Sequence, residues 1–141
     1  VLISGPLEFW HRHLEETRQS CIPGVEIPWW GPNRIWTKKQ AFESLGLDHP
    51  EHWEKPQVQA SWSVWRKCPA TLAFVGEWAA LCTERDLVGG ELPSGIGGEC
   101  PGFREHRWDQ SLLTLLTWRD HLQPLGGLAR PAKAGFVPSA G

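Results

Sequence analysis

The sequence predicts a mostly helical α/β domain with one or a few strands. Three observations carry that expectation. Apolar residues recur at helical spacing in several separate segments, only the stretch 57–65 alternates polar and apolar residues, and Gly and Pro interrupt the chain between them. With 141 residues and a mass of 15.9 kDa, the chain has room for one domain with a real core.

Taken in order, residues 7–19 read as an amphipathic helix, with Leu7, Trp10 and Leu14 on one face and Gly5-Pro6 marking its start. His11 and His13 fall on different sides of such a helix, so they are expected to be solvated rather than to share a metal. Residues 20–36 read as a loop punctuated by Pro23, Gly24, Pro28, Gly31 and Pro32, with Trp29 and Trp30 either closing over the core or lining a groove. Thr37-Lys38-Lys39-Gln40 has the spacing of a capping box, with Thr37 as N-cap, ahead of a short helix ending at Gly46. One further helical turn is expected around His52-Trp53 before Pro56.

The stretch 57–65 reads as one strand with Val58, Ala60, Trp62 and Val64 facing inward, and Gln57, Gln59, Ser61 and Ser63 on the other face. Such a row of amides and hydroxyls can either recognise a polyhydroxylated ligand or face water. Pro69 suits the first position of the next helix, expected to run for about fifteen residues and to be well buried through Leu72, Val75, Ala79 and Cys82, widened by Phe74, Trp78 and Leu81. Residues 86–102, rich in Gly and Pro, read as a mobile loop in the place of a lid. Residues 123–141 lose all periodicity and read as a disordered Gly/Pro/Ala tail, which leaves 1–122 as the domain.

Fourteen basic and sixteen acidic residues are mixed along the chain without a basic stripe, so nucleic acid is not an expected partner. No apolar run approaches the roughly 20 residues of a membrane helix. With no Met, the chain is expected to be a processed product or a piece of a longer polypeptide. The four cysteines, Cys21, Cys68, Cys82 and Cys100, have no metal-finger spacing, so buried free thiols are expected and zinc is not. Ten Trp supply core anchors or stacking platforms for sugar rings, and composition does not separate the two.

Chemistry concentrates where His106-Arg107-Trp108-Asp109-Gln110 meets the apolar run Ser111-Leu112-Leu113-Thr114-Leu115-Leu116. Asp109 reads as the N-cap of a buried helix, whose positive N-terminal pole favours an anion. The same pattern describes either a capped core helix or a catalytic or ligand-binding corner.

Three segments in order carry a resemblance: Trp36-Thr37-Lys38-Lys39-Gln40-Ala41-Phe42 through Gly46, then 57–67 followed by Phe74-Val75-Gly76-Glu77-Trp78, then Phe103-Arg104-Glu105-His106-Arg107-Trp108-Asp109-Gln110-Ser111. Together, over about residues 33–118, they resemble the C-terminal part of glycosyltransferase-like proteins of the nucleotide-diphospho-sugar transferase (GT-A) superfamily. The resemblance implies a GT-A α/β fold and transfer of a sugar from a nucleotide-sugar donor to an acceptor hydroxyl on a glycan or protein. It implies catalytic positions at Asp109 and Gln110, with His106 and Arg107 near the diphosphate and Gln57, Gln59 and Ser61 near the sugar or acceptor. It also implies a divalent metal (Mn or Mg) in the intact enzyme, held by an Asp-x-Asp motif. That motif is absent here, where the aspartates are Asp48, Asp86, Asp109 and Asp120. The chain is therefore expected to be a fragment that is inactive alone, working in the Golgi or secretory pathway of a eukaryote or the cytoplasm of a bacterium. The alternative is a non-catalytic Trp-rich module that binds carbohydrate or protein through Trp29, Trp30 and Trp65.

Overall fold

The computed structural model describes residues 7–92 and 98–126. In chain order the elements are α1 (Leu7–Glu16), β1 (Cys21–Ile22), β2 (Val25–Glu26), two 3-10 turns (Pro28–Trp30 and Asn33–Ile35), α2 (Lys39–Ser44), α3 (Pro50–Trp53), β3 (Val58–Gln59), β4 (Val64–Trp65), α4 (Pro69–Thr83), α5 (Arg85–Val88) and α6 (Trp108–Arg119). Helix α6 is the pillar. Every residue from Ser111 to Thr117 is buried, and α4, α5 and β3 pack around it. Leu112 and Leu115 face Ala41, Phe42 and Leu47, while Leu113 and Leu116 face Val58 and Phe74. A helix apolar on all sides is stable only when enclosed in this way.

The strands form two antiparallel ladders, β1 with β4 and β2 with β3. The sequence hides β1 and β2 in what reads as a loop, and they are too short to show a period. The single strand expected over 57–65 is broken into β3 and β4 by a turn. Cys21 faces Trp65 and Ile22 faces Val64, whereas Val25 faces Gln59, so residues 60–63 stand against only residues 23–24 and bulge outward. Gly24 permits this approach, because a Cβ there would collide with the carbonyl oxygen of Gln59. The broken strand also reverses the expected facing at one end: Gln57 is fully buried.

Several helix boundaries follow from local chemistry. Gly46 (φ 68°) ends the α2 region in the left-handed conformation, with the amides of Gly46 and Leu47 bonding back to the Glu43 and Phe42 carbonyls. Pro69 opens α4, which runs fifteen residues. Other expectations need correction. The Thr37 capping box does not form: α2 starts at Lys39, Thr37 donates to Asn33 Oδ1 (2.6 Å), and the Lys39 amide is taken by the Glu99 carboxylate (2.7 Å). Helix α4 buries Thr71 and Phe74 and half-buries Trp78, Leu81 and Cys82, leaving Leu72 and Val75 exposed, so it is not buried on all sides. On α1, Leu14 is buried but Leu7 is exposed.

The segment read as a mobile lid is pinned at both described ends. Residues 85–88 are helical, Lys38 holds the Gly89 and Glu91 carbonyls, and Cys100 is buried; residues 93–97 lie outside the described residues. At the start of the expected tail, the Leu125 amide bonds to Gly24 O (2.9 Å) and the Glu26 amide to Leu125 O (3.1 Å). The domain therefore extends past 122 through these contacts, and residues 127–141 lie outside the described residues.

Candidate functional site

The backbone approaching α6 is laid along residues 35–36. Arg104 N donates to Ile35 O (2.9 Å), Arg107 N to Trp36 O (3.0 Å), and the Ser111 hydroxyl to the same Trp36 carbonyl (2.6 Å) while accepting from Arg107 N (2.9 Å). Ser111 thus ties the Arg107 amide and the Trp36 carbonyl to the first turns of α6, and the Asp109 cap that the sequence suggests does not form. The helix begins at Trp108, Asp109 lies within its first turn, and no cap side chain bonds there. Trp108 is held at φ 46°, a conformation that costs a bulky residue of order 1–3 kcal/mol. Its indole is half exposed and lies beside Gly90.

Asp109 is exposed, and among the described residues nothing hydrogen-bonds its carboxylate. Its backbone carbonyl accepts from the Trp78 indole (3.0 Å), which fixes this turn of α6 against α4. The carboxylate is close enough to the Cys82 thiol to help burial raise that group above its ordinary value. A free carboxylate in the first turn of a buried helix sits at the favourable pole of the macrodipole.

Gln110 is turned the other way. Its Nε2 donates to Gln57 Oε1 (3.1 Å) and its Oε1 accepts from the Ala60 amide (3.4 Å). Gln57, fully buried, donates to Asn33 Oδ1 (2.5 Å) and Thr37 Oγ1 (3.1 Å). Thr114 accepts from the Val58 amide (3.0 Å) and donates to Gln110 O (2.8 Å). Asn33, Thr37, Gln57, Gln110 and Thr114 form one interior chain of hydrogen bonds joining the second 3-10 turn, β3 and α6. Satisfied networks of this kind fix the register of neighbouring elements.

The remaining sequence candidates separate. His106 is buried, its Nδ1 accepts from the Lys38 amide (3.3 Å), and its Nε2 has no hydrogen-bond partner among the described residues. Burial first, and then the Lys38 charge, holds its pKa down to about 4, so the ring is neutral at physiological pH. Its burial keeps it from a surface-bound diphosphate. Arg107 is half-buried, paired with Glu105 (2.6 Å) and stacked over the Trp30 ring (5.1 Å). Gln59 is half-buried in β3, and Ser61 is exposed in the turn after it. The structure thus joins Gln57 and Gln110 in the interior, puts Asp109 outside, and does not bring Ser61 into that hydrogen-bond chain. Of the stacking candidates, Trp30 packs on Trp36 and Trp65 on Phe74, while Trp29 is exposed.

Sequence reasoning missed Lys38. It is fully buried, and its ammonium bonds the carbonyls of Gly89 (2.7 Å) and Glu91 (3.3 Å). Burial lowers its pKa, against the opposing pull of Glu91, Asp86 and Glu99. No local signal marks it, since a lysine after a Thr reads as a solvated first-turn residue. Trp108 was legible only as an aromatic; its exposure and strain are tertiary facts.

Among the described residues, no group of three or more His, Cys, Asp or Glu could hold a metal ion. Among them, no helix is long and apolar enough to cross a membrane. No protein-family model, curated protein or solved structure matches the chain.

Proposed function

We propose that this chain is the sugar-facing C-terminal part of a GT-A-like nucleotide-diphospho-sugar transferase, with Asp109 as the residue that meets the sugar. The observation that carries the reading is an exposed Asp109 carboxylate with no hydrogen-bond partner among the described residues, next in sequence to Trp108, whose indole is exposed and whose backbone sits at φ 46°, at the start of α6. A fixed carboxylate accepts charge-assisted hydrogen bonds from sugar hydroxyls, and it stabilises positive charge developing at an anomeric carbon. An indole face covers the apolar C–H face of a pyranose. Behind them, Gln110, Gln57 and Thr114 hold the first turn of α6 in place, so Gln110 acts as a positioning residue.

This reading divides the resemblance-implied residues by what their surroundings allow. Asp109 is free to touch substrate, Arg107 is engaged with Glu105 and Trp30, and His106 supports the approach to α6 from within. The donor nucleotide and any metal would be held by protein outside these residues. The exposure of Trp108 also favours the second reading, a carbohydrate-binding module, with Trp108 as platform in place of the half-buried Trp30 and Trp65, which pack on Trp36 and Phe74.

The test is release of nucleoside diphosphate from a panel of nucleotide sugars, with manganese and acceptor glycans, by the polypeptide that carries this chain in its parent gene. Turnover is expected, and Asp109→Asn should reduce it at least about 100-fold with the thermal midpoint unchanged. No turnover from any donor, or full turnover by the variant, overturns the transferase reading. Saturable binding of glycans without turnover, lost in Trp108→Ala, selects the module.

A further inference from the structure

Helices α1 and α6 end in the same way and at the same place. Arg18 (φ 55°) and His121 (φ 54°) both stand in the left-handed region just past their helices. In each case the next amide reaches back five residues, Gln19 N to Leu14 O (3.0 Å) and Leu122 N to Thr117 O (3.0 Å). Closing turns of this kind ordinarily use glycine, which takes the conformation without steric cost, whereas a residue with a Cβ is strained there. Among the described residues three non-glycine residues have φ in this region, and Trp108 is the third. The other two line one cavity.

That cavity has a volume of about 330 Å³, and Arg18, Ser20, Trp65, Thr71, Phe74 and His121 are among its lining residues. Trp65 and Phe74 give it an apolar wall, with ring centroids 5.3 Å apart. Both strained residues are exposed at its rim. Among the described residues, neither the Arg18 guanidinium nor the His121 imidazole is hydrogen-bonded or ion-paired. The one carboxylate of the lining, Asp120, is already met by Arg119, with Nε 2.7 Å from Oδ1 and Nη2 3.0 Å from Oδ2. The cavity lies past the C-terminal end of the twelve-residue α6, about 18 Å along that helix from Trp108.

We propose that this cavity binds a small aromatic carboxylate, with its ring against Trp65 and Phe74 and its carboxylate held by Arg18 and His121. An apolar wall with a few converging polar groups is the usual form of a small-molecule site, and the volume admits one fused ring system. The planar guanidinium offers a carboxylate two parallel N–H donors, and imidazole donates one N–H in either charge state. Offset or edge contact with Trp65 and Phe74 holds the ring. A monoanion fits better than a phosphate dianion, because Asp120 shares the rim and Arg18 is the one permanent cation among the lining residues. The backbone strain then has a reason: glycine at either position would relieve it and would remove a donor to the ligand. The site uses no residue of the sugar-transfer reading and stands independently of it.

The experiment titrates 2-naphthoate into the chain and follows backbone amides by NMR. The amides of Ser20, Trp65, Thr71 and Phe74 should move together along one saturable curve, with a Kd below about 1 mM. The alcohol 2-naphthylmethanol, which keeps the ring and lacks the charge, should bind at least about ten-fold more weakly. Arg18→Gly and His121→Gly should each weaken 2-naphthoate at least about five-fold while raising the thermal midpoint by about 2–5 °C. The comparison of acid and alcohol on the unsubstituted chain keeps the test valid if a variant fails to fold. No saturable movement of these amides at millimolar 2-naphthoate, equal affinity for the alcohol, or glycine variants that bind as the parent does overturns the proposal. Binding lost together with a lowered midpoint also overturns it, since the two residues would then be structural.

Discussion

Replacing Gln57 by Leu tests whether the interior hydrogen-bond chain, rather than ligand contact, explains this residue. Gln57 is fully buried, with its amide spent on Asn33 Oδ1 (2.5 Å), Thr37 Oγ1 (3.1 Å) and Gln110 Nε2 (3.1 Å). Leucine matches the volume and removes all three bonds. Thr37 still donates to Asn33 Oδ1 and Thr114 still donates to Gln110 O, so the main orphan is the Gln110 amide. Lost bonds at about 1 kcal/mol each and one partly buried orphan at about 1–3 kcal/mol, less what leucine regains by burial, give an expected loss of about 2–4 kcal/mol. Urea unfolding followed by tryptophan emission measures it, and for a domain of this size the thermal midpoint should fall by roughly 10 °C. Ser61→Ala, in the exposed turn, should stay within about 0.5 kcal/mol of the parent chain. A Gln57→Leu chain as stable as the parent would refute the reasoning and return Gln57 to the surface role its sequence position suggested.

Two further outcomes follow from the buried groups behind the site. His106 is held neutral down to about 4, while the unfolded chain binds that proton from near 6.5, so between these values the unfolded state carries more protons and stability falls as pH drops. Urea midpoints should report a loss of roughly 2 kcal/mol at pH 5 relative to pH 8, and His106→Gln should flatten that window; an unchanged slope would show the ring to be solvated. Lys38→Met removes the ammonium from the Gly89 and Glu91 carbonyls, and amide exchange across 87–91 should quicken at least about ten-fold, more than in α6. Uniform quickening throughout the domain would mean that Lys38 supports the whole core rather than this segment.

These outcomes separate what is written locally from what is not. The helices at residues 7–16, 69–83 and 108–119 follow from apolar spacing, Pro69 and the leucines of α6, because a helix repeats within its own turns. Gly46 ends its helix through its own backbone freedom. The side that each helix buries was less legible. Leu72 and Val75 are as apolar as Phe74 and Leu81, and only the positions of α6 and β3 decide that the latter pair packs inward.

The polar residues show the same division more sharply. Alternation over 57–65 marks extended chain, yet whether Gln57 meets water or the interior depends on Asn33, Thr37 and Gln110 arriving from separate parts of the sequence. Glu99 caps a helix that begins at Lys39, and Ser111, not Asp109, bonds the Arg107 amide where α6 begins. By itself the sequence determined where the chain can coil, where it must turn, and that a carboxylate stands where a buried helix starts. Tertiary structure alone decided which polar groups are consumed in holding that helix and that the Asp109 side chain stands exposed outside. A hydrogen bond is satisfied by whichever partner the fold brings within about 3 Å, however far away along the chain that partner lies.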